Sequence, residues 1–223
     1  MTSTTPTTDA TATMASLIAS LADNKAALGR RYGEWAVSAP TIESAVAAAA
    51  MAQDELGHAR STYPVLAKLG VQRSDDGLDA GHPLSVIAAN LVVDGILTTW
   101  VASVRDSSLE PLAQRARKIL QEEGAHRVHA EAWLKRICAT GGADRELLLQ
   151  RIGEMWAQAA RWPGPADHPG YRAAAAKGMV GEGPDEIRAR VRDWLVARLD
   201  AAGVQLTLTD PADWSDWDEH TRR

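Results

Sequence analysis

Apolar residues return every third or fourth position along most of this chain, and that spacing predicts helices. From residue 13 to about 37, Met14, Leu17, Leu21, Leu28, Tyr32 and Trp35 share one helical face. Ser38-Ala39-Pro40 breaks this helix and opens the next, with Pro40 near its first position and Glu43 in its first turn. The second helix runs through Met51, Glu55 and Leu66 to Leu69, where Gly70 is a natural terminator. Pro64 inside it removes a backbone donor and predicts a kink. Residues 70–83 are polar and turn-rich and read as one long crossover. A third helix is expected over about 84–106 and a fourth over about 110–138, stopped by Thr140-Gly141-Gly142. A fifth is expected over about 144–162 and a sixth over about 185–199, with residues 163–183 irregular.

Two helical hairpins joined by one long crossover, with further helices after them, is the connectivity of a ferritin-like four-helix bundle. The expected fold class is therefore all-α. The expected plan is a disordered Thr-rich tail over 1–12, one helical domain over 13–202, and an acidic tail with two Trp over 203–223, either docked on the bundle or loose.

Composition agrees with a single well-buried domain: 223 residues, 45% apolar and rich in Ala. With no Phe, eight Trp and many Leu must supply the bulk of the packing. A net charge of −5 excludes nucleic acid as the main partner, because no basic excess exists to neutralise phosphates. The lone Cys138 cannot form an internal disulfide and points to a reducing compartment. The opening MTSTTPTTDATAT has neither a basic nor an apolar leader region, and no uninterrupted apolar run approaches the ~18 residues of a span. A cytoplasmic protein without a membrane partner is expected.

Two segments have the form Glu-x-x-His, Glu55-Leu-Gly-His58 and Glu123-Gly-Ala-His126. Positions i and i+3 share a helix face, so carboxylate and imidazole can grip one ion. With 12 Glu and 6 His, random placement yields about 0.3 such pairs. Both pairs lie in apolar stripes: Ala48, Met51, Ala52, Ala59 and Leu66 around Glu55, and Leu112, Ala116, Ile119, Trp133 and Ile137 around Glu123 and His126. A buried carboxylate costs several kcal/mol unless a cation or donors compensate it. Each pair could instead be a satisfied Glu–His or Glu–Arg contact.

Hairpin geometry adds an independent check, since antiparallel helices place residues equidistant from their connection at one height. With the first connection near residue 40, Glu55 stands opposite Lys25; with the second near 108–109, Glu123 stands opposite Asp94. A di-iron bundle of this kind takes one carboxylate from each of two helices and Glu-x-x-His from the other two. Here Asp94, Glu55, His58, Glu123 and His126 are the candidate ligands, and Lys25 stands where the fourth carboxylate belongs. Three carboxylates and one ammonium sum to −2, matching one divalent ion, or none with Lys25 bridged to Glu55 or Glu123. Two ions would require Lys25 neutral or swung aside.

At LADNKAALGRRYGEWAVSAP, MAQDELGHAR, LVVDG and EEGAHRVHAEAWLKRI the chain resembles the multicomponent phenylacetyl-CoA epoxidase family, over roughly residues 16–139. The first segment resembles the structural subunit and the others the catalytic di-iron subunit. That resemblance implies Glu55, His58, Asp94, Glu123 and His126 as metal ligands, with the family's helix-1 glutamate aligned to Lys25. It implies a metal-dependent oxygenase component acting on an aromatic acyl-CoA or related substrate, with one or two iron ions, or manganese, or no metal because of Lys25. It also implies an electron-donating reductase and a paralogous subunit or second copy as partners. The alternative is a non-catalytic scaffold subunit in which Lys25 replaces metal charge; iron storage is the third reading weighed.

Other residues carry less. His129 is either a donor behind the ligands or a surface residue. Tyr32 and Trp35 could host a radical, but core packing is the better reading of aromatics on an apolar stripe. Arg115, Arg117 and Lys118 fit coenzyme A phosphates or a solvated face. Cys138 lacks an activating context, and His82, His168 and His220 carry no signal.

Overall fold

The computed structural model describes residues 9–70 and 83–223, and among these no β-strand occurs. Helix α1 (Ala10–Ala36) starts where Asp9 Oδ1 accepts the Thr11 N–H at 2.8 Å. It begins three residues earlier than apolar spacing predicts, because Asp9 caps it and Ala10 is already buried. Residues 1–8 of the expected tail lie outside the described residues. Helix α2 (Ile42–Lys68) is capped by Thr41 Oγ1, which accepts the Ser44 N–H at 3.2 Å, so Pro40 stands ahead of the cap. It contains Pro64 on its exposed side and ends at Leu69, with Gly70 at φ +75°. The expected crossover falls on 71–82, outside the described residues.

The third predicted helix is one rod built of α3 (Pro83–Ala89), a π-helical turn (Asn90–Asp94) and α4 (Gly95–Ser103). By length and composition Ser85–Ser103 would suffice to cross a membrane, although Asn90 and Asp94 interrupt its apolar run; 83% of it is buried inside the bundle, as a core helix should be. Helices α5 (Glu110–Thr140) and α6 (Gly142–Ala159) follow near the expected bounds. Helix α7 (Pro169–Ala176) corrects the expectation of irregular chain over 163–183. At eight residues it is too short to show a period; Pro169 in its first turn and His168 Nδ1, which accepts the Tyr171 N–H at 3.2 Å, define it instead. Helix α8 (Pro184–Ala201) opens with Pro184, while Glu186 Oε2 accepts the Gly183 N–H at 2.7 Å.

The architecture is a ferritin-like helical bundle. α1 packs along α2, α5 against α2 and α4, α6 on α3, α7 on α1 and α8 on α4. α1 and α2 approach closely at Gly29, where a Cβ would lie 2.8 Å from Leu56 Cγ and 3.1 Å from the Ala52 carbonyl. In the absence of Phe, Trp35, Trp100, Trp156 and Trp162 fill the core with Leu and Ile; Trp100 and Trp162 meet edge to face at 5.6 Å. Cys138 is buried, and burial pushes its thiol pKa up, leaving it an inert packing residue.

Residues 203–223 dock on the bundle. Trp156 Nε1 donates to the Thr209 carbonyl at 3.1 Å, and Trp217 Nε1 to the Arg161 carbonyl at 3.1 Å. Arg222 is the anchor. Its buried guanidinium donates to the Trp162 carbonyl at 2.6 Å, the Pro163 carbonyl at 2.9 Å and Ser16 Oγ at 3.3 Å. Thr13 Oγ1 donates to Glu219 Oε1 at 2.8 Å, tying the segment to α1. Replacing Arg222 by Met strands two buried carbonyls, each at about 1–3 kcal/mol. Urea denaturation of Arg222→Met should therefore show a loss of about 2–4 kcal/mol; an unchanged midpoint would mean the segment adds nothing to stability.

Candidate metal centre

Four helical segments deliver six ionisable side chains to one point in the core. Lys25 comes from α1, Glu55 and His58 from α2, Asp94 from the π-helical turn, and Glu123 and His126 from α5. None is more than 5% exposed. Glu55, Asp94, Glu123 and His126 each present a ligand atom within 4.8 Å of the others, a grouping able to hold a metal ion. His58 Nδ1 joins them at 3.4 Å from Glu55 Oε2 and 3.3 Å from Glu123 Oε1.

The opposition of Lys25 to Glu55 and of Asp94 to Glu123 follows from chain heights, but the turn at Asn90–Asp94 sets which way Asp94 faces. A π turn inserts one extra residue and rotates everything after it by roughly 100°. Its first residue, Asn90, donates to the Tyr32 hydroxyl, locking the turn against α1. Tyr32 is buried, lies edge-on to His126 at 6.2 Å, and burial holds its phenol protonated.

Lys25 occupies the middle of the carboxylates. Its Nζ lies 3.1 Å from Glu55 Oε2 and 2.5 Å from Asp94 Oδ1, and it also pairs with Glu123 Oε1. Burial works against the ammonium, yet Asp94, Glu123 and Glu55 outweigh it and raise the Lys25 pKa well above its ordinary value. Burial would raise both glutamates as well, but Lys25 and the two imidazoles together outweigh it and hold Glu55 and Glu123 below the usual carboxylate range. Asp94 differs: burial and the Glu123 charge push it up to about 8 despite Lys25, so it is the first of the three to take a proton. Burial would lower the two imidazoles, but the Glu123 and Glu55 carboxylates raise His58 to about 9 and His126 to about 11. Without metal the cluster neutralises itself with protons and one ammonium.

Each imidazole turns Nδ1 inward and Nε2 outward. His126 Nε2 is 3.3 Å from Asp54 Oδ2, and His58 Nε2 is 2.8 Å from Glu122 Oε2. Asp54 immediately precedes Glu55 and Glu122 immediately precedes Glu123, so each hairpin supplies the acid that orients the other hairpin's His. These two acids were missed in the sequence. Their signal is an acid one position before each Glu-x-x-His, which the i and i+3 spacing does not include. Such a carboxylate fixes the tautomer and leaves Nδ1 for a metal.

The donor set fits a metal ion on its own chemistry. His58 Nδ1, His126 Nδ1, Glu55 Oε2 and Glu123 Oε2 are buried and make no aligned hydrogen bond. Three carboxylates and two imidazoles suit iron or manganese. The remaining sequence candidates lie elsewhere. His129 is half-buried against Trp35 at 5.5 Å. Among the basic run, Lys118 pairs with Glu122 and Arg117 lies 3.6 Å from Glu110 on the solvated face. His168 caps α7 and packs on Trp217, His220 is exposed, and His82 lies outside the described residues.

Removing the ammonium leaves buried acids without a partner, a change worth about 3–5 kcal/mol for a broken buried pair. Lys25→Met should lose about that much stability in chelator-treated protein at neutral pH, measured by urea denaturation. A difference below about 1 kcal/mol would mean that the acids are neutral and Lys25 is not their counter-ion.

A family model described as "Phenylacetic acid catabolic protein" matches residues 1–83 and 78–223. Two polypeptides of the 1,2-phenylacetyl-CoA epoxidase from Escherichia coli (strain K12) are similar to the chain. The one lettered C is 25% identical, over 61% of this chain and 62% of its own length. The one lettered A is 27% identical, over 80% of this chain and 63% of its own. The chain thus spans a little under two thirds of each of these curated relatives. A match across the whole sequence and an all-helical bundle lead to one statement: the chain belongs to the phenylacetic acid catabolic protein family.

Proposed function

We propose that this protein is a metal-dependent oxygenase component of the phenylacetyl-CoA epoxidase type, oxidising an aromatic acyl-CoA or related substrate with dioxygen. The observation that carries the reading is the set of inward-facing donor atoms of Glu55, His58, Asp94, Glu123 and His126, buried and converging from three segments of the bundle. Iron bound there would supply the activation of dioxygen. The chain's own residues do the rest. Asp54 and Glu122 hold the imidazoles with Nδ1 inward, while Leu28, Tyr32 and Leu91 belong to the core that excludes water. Lys25 keeps the acids in place without metal, and its charge of +1 against three carboxylates leaves −2, the complement of one divalent ion. A second ion needs the Lys25 ammonium to withdraw or lose its proton. An electron-donating reductase and a paralogous subunit or second copy are the partners this reading requires, and the cytoplasm its compartment.

One observation favours a second reading. The Lys25 Nζ sits among all three carboxylates, and with a proton on each imidazole a scaffold subunit with no metal would be electrostatically complete. Anaerobic reconstitution with Fe(II), followed by elemental analysis, separates the two. At least about one iron per chain with dioxygen consumption is expected, rising toward two in Lys25→Glu as the fourth carboxylate is restored. A chain that takes up none is the scaffold. Asp54→Asn and Glu122→Gln should each weaken Fe(II) binding by about 10–100-fold in equilibrium dialysis, since both orient an imidazole; unchanged affinity would exclude ligation through Nδ1.

A further inference from the structure

Five large apolar side chains are exposed among the described residues, and four of them belong to one hairpin. Val37 closes α1, while Ile42, Val46 and Leu56 lie on α2; Ile42 is 72% exposed and Val46 63%. Between Glu43 and Arg60 the exposed positions of α2 are Val46, Ala49, Ala50, Gln53 and Leu56, with no charge among them. They recur every three or four residues and so form one stripe along the outside of the bundle. A helix face turned to water is ordinarily polar, and a continuous apolar one marks an interaction surface.

Gly57 adds a second observation. It continues the stripe four residues after Gln53, and glycine inside a helix costs about 1 kcal/mol against alanine. Packing within the chain does not require it, since a Cβ at Gly57 would meet nothing within 4 Å. Gly29 is the contrast, because Leu56 and the Ala52 carbonyl crowd the place of its missing side chain. The space over Gly57 is open to a side chain from another molecule.

Charge says which molecule. The stripe is bounded by opposite signs, Glu43 near the start of α2 and Arg60 in its second half, both exposed and neither ion-paired among the described residues. Two copies of α2 laid antiparallel have equal rise, so a centre between Met51 and Ala52 sets Glu43 of each copy level with Arg60 of the other. The same register lays Val46 over Gly57 and Ala50 beside Gln53, so bulk meets open space. A lipid surface fits less well. Interfacial helices carry Lys and Arg on their polar face, whereas this stripe has one acid and one base in a chain of net charge −5.

We infer that this face of α2 pairs antiparallel with the same face of a second copy, giving a two-fold symmetric dimer held by Val46 against Gly57 and by two Glu43–Arg60 bridges. Of the two subunit partners the oxygenase reading allows, this is the second copy. The pairing rests on no property of the metal centre.

Sedimentation equilibrium of the full chain should give twice the 23.9 kDa of one copy. Val46→Lys, at an exposed position, should keep the helical circular dichroism and yield the monomer, and Gly57→Leu should do the same by blocking the seat of Val46. Glu43→Arg and Arg60→Glu should each weaken the dimer by at least about tenfold, because each brings two pairs of like charges together. Mixing these two variants should restore the dimer, since in the mixed pair every base again meets an acid; a folding defect would not be repaired that way. A chain that is monomeric alone, including one that associates only with a paralogous subunit or with phosphatidylglycerol vesicles, would overturn the inference. So would a dimer indifferent to Val46→Lys, or single variants that fail to recover on mixing. Iron uptake by the same preparations reports on the oxygenase reading separately: a dimer that takes no iron keeps this inference and rejects that one, and a monomer that loads iron does the opposite.

Discussion

Three carboxylates pressed into the middle of a helical bundle repel one another in a medium that screens them poorly, and the bundle closes only because positive charge is placed among them. In this protein the charge comes from within: an ammonium from α1, set between acids from α2, the π-helical turn and α5. That single contact joins both hairpins. It also explains how a cluster able to hold a metal ion can exist in a stable fold without one. The same arrangement sets the terms for metal, because an incoming divalent ion competes with a charge already in position and with protons on two imidazoles.

Much of this was legible from residue spacing. The relative heights of Lys25, Glu55, Asp94 and Glu123 follow from counting residues away from two tight connections, because helical rise is nearly constant. Orientation was harder to read. The π turn at Asn90–Asp94 has no mark in an apolar stretch such as Asn90-Leu-Val-Val-Asp94. Asp54 and Glu122 were overlooked for a different reason. They point across to the opposite hairpin, and a comparison within one helix face cannot see a partner there.

The short helix α7 and the docked residues 203–223 illustrate a third kind of gap. Eight residues hold about two turns, too few to display a period, so capping by His168 and Pro169 defines α7 better than hydrophobicity does. The docking of Arg222 depends on carbonyls of Trp162 and Pro163 that converge only after α6 has ended. An acidic, Trp-containing segment reads the same whether or not such acceptors exist. The local pattern was informative where structure repeats, and silent where one group must find another far along the chain.

That long reach has a kinetic side. Thr13 and Ser16, near the start of α1, are held by Glu219 and Arg222, a separation of more than 200 positions. During synthesis α1 leaves the ribosome well before Glu219 and Arg222, and this part of its surface lacks these contacts until they emerge. Contacts so distant in sequence bring a large loop-closure entropy and form late. The hairpins can collapse early around their apolar stripes, while this face of α1 stays uncovered, and open to chaperones or to other chains, until Glu219 and Arg222 have been made.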